Sequence, residues 1–305
     1  MTDNSDPKFA FTYDRVLRPA PETILYHYCS TPTLLSILEH GKLRFSDINM
    51  MNDPREWRYC YELFERAANA VLEMVPDRPA LDGLDTRFFD RIDDYLSPKQ
   101  LKSHPVIACF SKRPDVLSQW RGYADDAKGW SIGFSGLALD AMPVTLLEVV
   151  YDPEQQVTEV SNFLAAMYLT WREKGGDFKD AVGQDAALLA SLIHGYKHPS
   201  FEEEQEVRAL HELRVDISED GWELIDESGT ANGEEVAGEA VGFRAAGSAV
   251  VAYIDLPLQR VAGVAISELW FGPSNDNGPG NALYPLTRYG HRGVNLFWSA
   301  SSYRA

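Results

Sequence analysis

Cysteine is scarce in this chain: Cys29, Cys60 and Cys109 are the only three in 305 residues, widely spaced and without a C-x-x-C pair. That pattern points to reduced thiols in a cytosolic protein rather than to a disulfide framework. Long apolar runs are missing as well. No stretch approaches the length of a membrane span, and the opening M-T-D-N-S-D-P-K has neither a basic n-region nor an apolar h-region. A soluble cytoplasmic protein with no membrane partner is expected. Positive charge is also short, with 28 Lys and Arg against 46 Asp and Glu, a net charge of −18. Fourteen acids between Glu202 and Glu239 face only Arg208 and Arg214, so this segment alone carries −12, two thirds of the excess. Such a field opposes sequence-independent phosphate binding, which needs a basic stripe. A nucleic-acid substrate would have to enter elsewhere. Nor is there a phosphate loop: Gly272-Pro273 and Gly278-Pro279-Gly280 are turn signals, not G-x-x-x-x-G-K-[ST].

What is present belongs to a globular chain, 45% hydrophobic and 11% aromatic, with no internal repeat and no low-complexity linker. One mixed α+β domain over 1–305 is the simplest account, with a helical insertion at 152–200 and an acidic exposed hairpin or flexible loop at 216–242. Short strands are expected at Ile24–Tyr28, Leu43–Phe45, Val106–Ser111, Trp130–Phe134, Leu146–Tyr151, Val250–Leu256, Val264–Phe271 and Val294–Trp298. Thr31-Pro32 opens a helix that Gly41 stops, and Asp53-Pro54-Arg55-Glu56 opens another with Trp57, Tyr61, Phe64 and Val71 inward. Ser97-Pro98-Lys99-Gln100 reads as a further capping box. Leu117, Trp120 and Tyr123 share a helical face, and further helices are expected at Gln155–Trp171, Asp180–His194 and Ala282–Tyr289.

Three chemical signals compete. Gly129-Trp130-Ser131-Ile132-Gly133 matches G-x-S-x-G, with His291 downstream, but Ser131 lies inside a strand-like run instead of before a helix, so it reads as an ordinary strand residue. His194 and His198 have i, i+4 spacing, yet Gly195 and Pro199 spoil the helix and no third ligand is near, so no metal is expected. The third signal is Phe201–Leu213, F-E-E-E-Q-E-V-R-A-L-H-E-L, which reads as a strand with Glu202, Glu204, Glu206 and Arg208 on one face. Stacked carboxylates repel, so this face is either a solvated edge or one wall of a polar cleft, with Arg208 neutralising one acid and crowding raising the proton affinity of another.

Singly, these residues are ordinary; in order they form a constellation. Tyr26-His27-Tyr28, Met51 to Trp57 as M-N-D-P-x-E-W, Cys109-Phe110-Ser111, Trp120 to Ala124 as W-x-x-Y-A, and Glu204 to Arg208 as E-x-E-x-R resemble a large uncharacterised bacterial domain family. Through it the chain resembles the ADP-ribosyltransferase superfamily, in its His-Tyr-Glu branch. That resemblance implies an ADP-ribosyltransferase-like split β-sandwich, two mixed sheets with helical insertions. It implies NAD as substrate and ADP-ribose passed to an unknown acceptor, which can be a protein, a nucleic acid or a small molecule. Of the E-x-E pair, Glu206 would hydrogen-bond a ribose hydroxyl and stabilise the oxocarbenium ion, while Glu204 would orient or deprotonate the acceptor and Arg208 would hold the acids. His27 would donate to a ribose hydroxyl, Tyr123 would stack on nicotinamide, and Ser111 would orient the glutamate. Tyr28, Asn52 and Asp53 would line the cofactor site. Two alternatives remain open: an NAD glycohydrolase on the same fold, and a nucleotide- or peptide-binding module without chemistry.

Overall fold

The computed structural model describes residues 15–48, 56–99, 103–175, 182, 185–186, 188–189, 192–219, 221–227 and 229–303. Asn52 and Asp53, with most of the M-N-D-P-x-E-W motif, lie outside the described residues, as does much of the expected helix Asp180–His194. The architecture is mixed α and β. Strand β1 (Ile24–Cys29), helix α1 (Thr31–His40) and β2 (Lys42–Asp47) follow in succession. Ser30, one residue earlier than expected, caps α1 by accepting from the Thr33 amide, and Gly41 ends it at φ +60°, a conformation that glycine adopts without strain. Helices α2 (Glu56–Met74) and α3 (Thr86–Lys99) come next. Phe64 and Val71 of α2 are buried, but Tyr61 faces outward. Ser97-Pro98 does not open a helix, because α3 runs on to Lys99.

After β3 (Ser103–Ser111) come α4 (Leu117–Tyr123), β4 (Trp130–Ser135), α5 (Gly136–Asp140), β5 (Thr145–Glu148) and α6 (Pro153–Lys174). The second half of the chain supplies β6 (Glu206–Ser218), β7 (Gly221–Ile225), β8 (Gly229–Ala231), β9 (Glu234–Val236), β10 (Gly242–Ala246), β11 (Ala249–Pro257), β12 (Ile266–Phe271), α7 (Pro279–Arg288) and β13 (Asn295–Trp298). The acidic segment 216–242 is therefore not one loop: β6 and β7 form a hairpin, and β8 and β9 form a separate two-stranded sheet.

The other strands join one sheet, which consists of two halves. One is β13-β12-β4-β1; the other is β10-β11-β2-β3-β6, with β5 and β7 both paired to β6. A single registered pair, Tyr26 with Ser111, connects them. Further along the same edge, β3 pairs with β2 at Ile107 and Val106. Between these points β1 and β2 diverge, and the His27 ring meets the Cys109 carbonyl at 2.9 Å. Both halves bury one face in a common core that includes Leu25, Phe110, Phe134, Val207, Ala209 and Leu269. Period-two alternation then puts Cys109, Glu206 and Arg208 on the opposite face of the β3–β6 pair. A second apolar cluster fills the interface of α2, α3 and α6 with Phe64, Val71, Phe88, Ile92 and Leu164.

Candidate active site at the head of strand β6

The acidic stretch is not a strand from Phe201. Pro199–Glu204 forms a 3-10 turn and Gln205 takes a left-handed conformation at φ +42°, so β6 begins only at Glu206. The expected row of four charged side chains is therefore broken. Glu202 is exposed, whereas Glu204, Glu206 and Arg208 are buried. The turn leaves the outer carboxylate in water instead of stacking three like charges on one face.

Glu206 is held by two cations. Arg208 donates from Nε to Oε1 at 3.0 Å and from its terminal NH2 group to Oε2 at 3.2 Å, while the Lys197 ammonium reaches Oε2 at 3.0 Å. Burial opposes the charged form, but Arg208 and then Lys197 overcome it and pull the Glu206 pKa down to about 2. The backbone is fixed too, since the Glu206 amide donates to the Tyr151 hydroxyl at 2.9 Å. Arg208 in turn donates to the His194 carbonyl at 2.9 Å.

Glu204 sits in a different balance. Lys197 donates to its Oε2 at 2.5 Å and the Tyr123 hydroxyl to its Oε1 at 3.3 Å. Desolvation is the largest influence and raises its pKa, only partly offset by Lys197. The Tyr123 hydroxyl is itself pushed up to about 12, by burial and then by Glu204. Two carboxylates separated by one residue thus have opposed proton affinities. Opposed proton affinities of this kind can separate the roles of two neighbouring carboxylates.

Ser111 orients Glu204 through the backbone: its hydroxyl donates to the Glu204 carbonyl at 2.7 Å and accepts the Arg113 amide at 3.0 Å. Tyr28 serves the same loop, donating to the Arg113 carbonyl and accepting from the Val116 amide, both at 3.0 Å. Its ring lies edge-on to Trp120 at 4.8 Å, and its hydroxyl is engaged by these two backbone groups. His27 is on the core side of β1 against Phe110. A carbonyl can only accept, so the Cys109 contact puts the ring proton on Nδ1. Burial lowers the His27 pKa, and the neutral ring then offers Nε2 as an acceptor. The expected donor role is not available at that nitrogen, and His27 is not brought to the glutamates, because it faces the core while Tyr123 packs with Tyr26 and Tyr28 on the other face of β1. Cys109 is half-buried, and burial and then Glu206 push its thiol pKa up.

Sequence reasoning missed Lys197 and Tyr151. Lys197 belongs to the insertion at 152–200, from which the sequence offers only the His194–His198 spacing as a chemical signal. No pattern in the sequence marks Lys197. Its backbone is pinned by Gln156 of α6, fully buried, which donates to the carbonyls of Val150 at 2.7 Å and Lys197 at 2.9 Å. Ser131 and His291 form no catalytic pair: β4 continues through Ser131 to Ser135, and His291 is bonded to the Leu38 carbonyl. A cleft of about 870 Å3 lies elsewhere, among Met142, Pro143, Leu147, Leu210 and His211, and includes neither glutamate. Both ring nitrogens of His211 are taken, by the Pro143 carbonyl at 2.7 Å and Asp226 at 2.9 Å.

A family model described as "Protein of unknown function (DUF2971)" matches residues 119–209. The matched stretch contains Tyr123, Tyr151, Lys197, Glu204, Glu206 and Arg208, and stops short of His27. No curated protein and no solved structure matches the chain. Among the described residues, no helix is long and apolar enough to cross a membrane.

Proposed function

We propose that this protein is an NAD-dependent ADP-ribosyltransferase. The observation that carries the reading is the Glu204–Glu206 pair with its opposed proton affinities, beside Tyr123 and at the place where β1 leaves β3. The same divergence supports an ADP-ribosyltransferase-like split sheet. Cleavage breaks the bond between ribose C1′ and the nicotinamide nitrogen. The electron pair goes to nicotinamide, which leaves neutral, and the positive charge remains on the ribose. A fixed carboxylate is what this step needs, and Glu206, ionised down to about pH 2, supplies one. The acceptor heteroatom then bonds to C1′ and loses its proton to Glu204, whose raised pKa suits a base. Tyr123 offers an aromatic face for nicotinamide. No metal enters the reading.

The test is nicotinamide release from NAD by purified protein, with and without a cell lysate as acceptor pool. Glu206→Gln is expected to slow release on the order of 10²–10³-fold. Glu204→Gln is expected to impair transfer more than hydrolysis. Free ADP-ribose without any adduct would make the protein a hydrolase, and neither release nor NAD binding would leave it a binding module.

A further inference from the structure

All four carboxylate oxygens of the glutamate pair already have a donor within the protein. Glu206 Oε1 has Arg208, Glu206 Oε2 has Arg208 and Lys197, Glu204 Oε2 has Lys197, and Glu204 Oε1 has Tyr123. Glu206 Oε2, with Arg208 and Lys197, already accepts two hydrogen bonds, so a ribose hydroxyl can reach that oxygen only by taking over one of them. Arg208 is the least able to yield. It grips Glu206 through two nitrogens, is 2% exposed, and is held from behind by the His194 carbonyl. Lys197 differs. It is a point charge on a four-carbon stem, and Glu206 keeps its two Arg208 bonds without it. While it holds both carboxylates, its ammonium also lies over the Phe201 ring, 4.7 Å from the centroid.

We propose that Lys197 is a displaceable internal counter-ion, which closes the site at rest and leaves the carboxylates when substrate takes over its two contacts. The identity of that substrate as NAD rests on the function proposed above; the displacement itself does not. Its backbone is fixed by Gln156 and by its own amide bond to the Val150 carbonyl at 3.2 Å, so the motion belongs to the side chain. At rest, burial works against the ammonium, but Glu206 and then Glu204 hold its pKa well above that of an ordinary lysine. A closed Lys197 is therefore inert to acylation, which needs the free amine, and an open one is not.

The experiment is native-state labelling of the wild-type protein with an N-hydroxysuccinimide acetate, read at Lys197 by peptide mass spectrometry across a series of low urea concentrations. Displacement predicts labelling that is independent of urea and at least about tenfold faster than global unfolding allows. With saturating NAD the Lys197 rate is expected to rise further, toward that of exposed lysines. Labelling that tracks global unfolding, with its full urea dependence, both without and with NAD, would overturn the proposal and make Lys197 a structural ion-pair residue. Urea-independent labelling that NAD leaves unchanged would keep the displaceable lysine and count against NAD as the substrate.

Discussion

Glu204 and Glu206 share a lysine yet hold their protons oppositely, because only Glu206 also has Arg208. The consequence for stability has a definite sign. Glu206 binds its proton more weakly in the folded chain, about 2 against 4.5 for the free side chain. Its stabilisation is therefore fully present above pH 4.5 and is lost as pH falls toward 2, on the order of 3 kcal/mol in total. Glu204, whose pKa is raised, works in the opposite direction and softens the loss. Urea denaturation at a series of pH values is expected to show this acid step in wild type and not in Glu206→Gln. Arg208→Met should cost about 3–5 kcal/mol, because it strips a buried carboxylate of its main partner; thermal denaturation checks it. For activity, transfer should rise with pH through the elevated Glu204 pKa, and Glu204→Gln should flatten that limb of the rate profile.

At the scale of elements, the helical insertion serves the site through one buried side chain. Gln156 of α6 bridges the Val150 and Lys197 carbonyls and accepts the Tyr59 hydroxyl. Gln156→Leu leaves these groups unpaired and is expected to cost about 2–4 kcal/mol, measured by urea denaturation, and to speed labelling of Lys197. The turn before β6 gives a second prediction. Gln205 at φ +42° should tolerate glycine, while Gln205→Val is expected to cost about 1–2 kcal/mol. Neither feature was legible in the sequence. Strands with apolar alternation, such as β1, β3, β4 and β11, stand out because burial dictates their composition. Strand β10, G-F-R-A-A, was invisible because an exposed edge strand carries no apolar period. The 3-10 turn hid inside E-E-E-Q-E, where charge repulsion and Pro199 override the alternation that suggested a longer strand. The glutamates, Arg208, Ser111 and Tyr123 were readable as chemistry-bearing types in order. Lys197 was not, since a lone lysine in a loop has no pattern and its meaning comes from tertiary folding alone.

For the whole molecule, the single Tyr26–Ser111 junction leaves the two halves of the sheet to be held together by their shared core. Phe134 of β4 is fully buried against Phe110 of β3, with ring centroids 5.9 Å apart. Phe134→Ala is therefore expected to cost about 3–5 kcal/mol and to loosen both halves together, read as loss of amide protection in β3 and β4 alike. The excess negative charge resides mainly in the segment around the β6–β7 and β8–β9 hairpins, where it disfavours phosphate-rich acceptors and leaves the approach to the glutamates to be tested directly. The most direct measurement of the central claim is nicotinamide release from NAD by wild type, Glu206→Gln and Glu204→Gln side by side, with lysate added as acceptor. The account predicts release by wild type and its near-complete loss in Glu206→Gln. Equal release by wild type and Glu206→Gln, or none by any form together with no NAD binding, would contradict it.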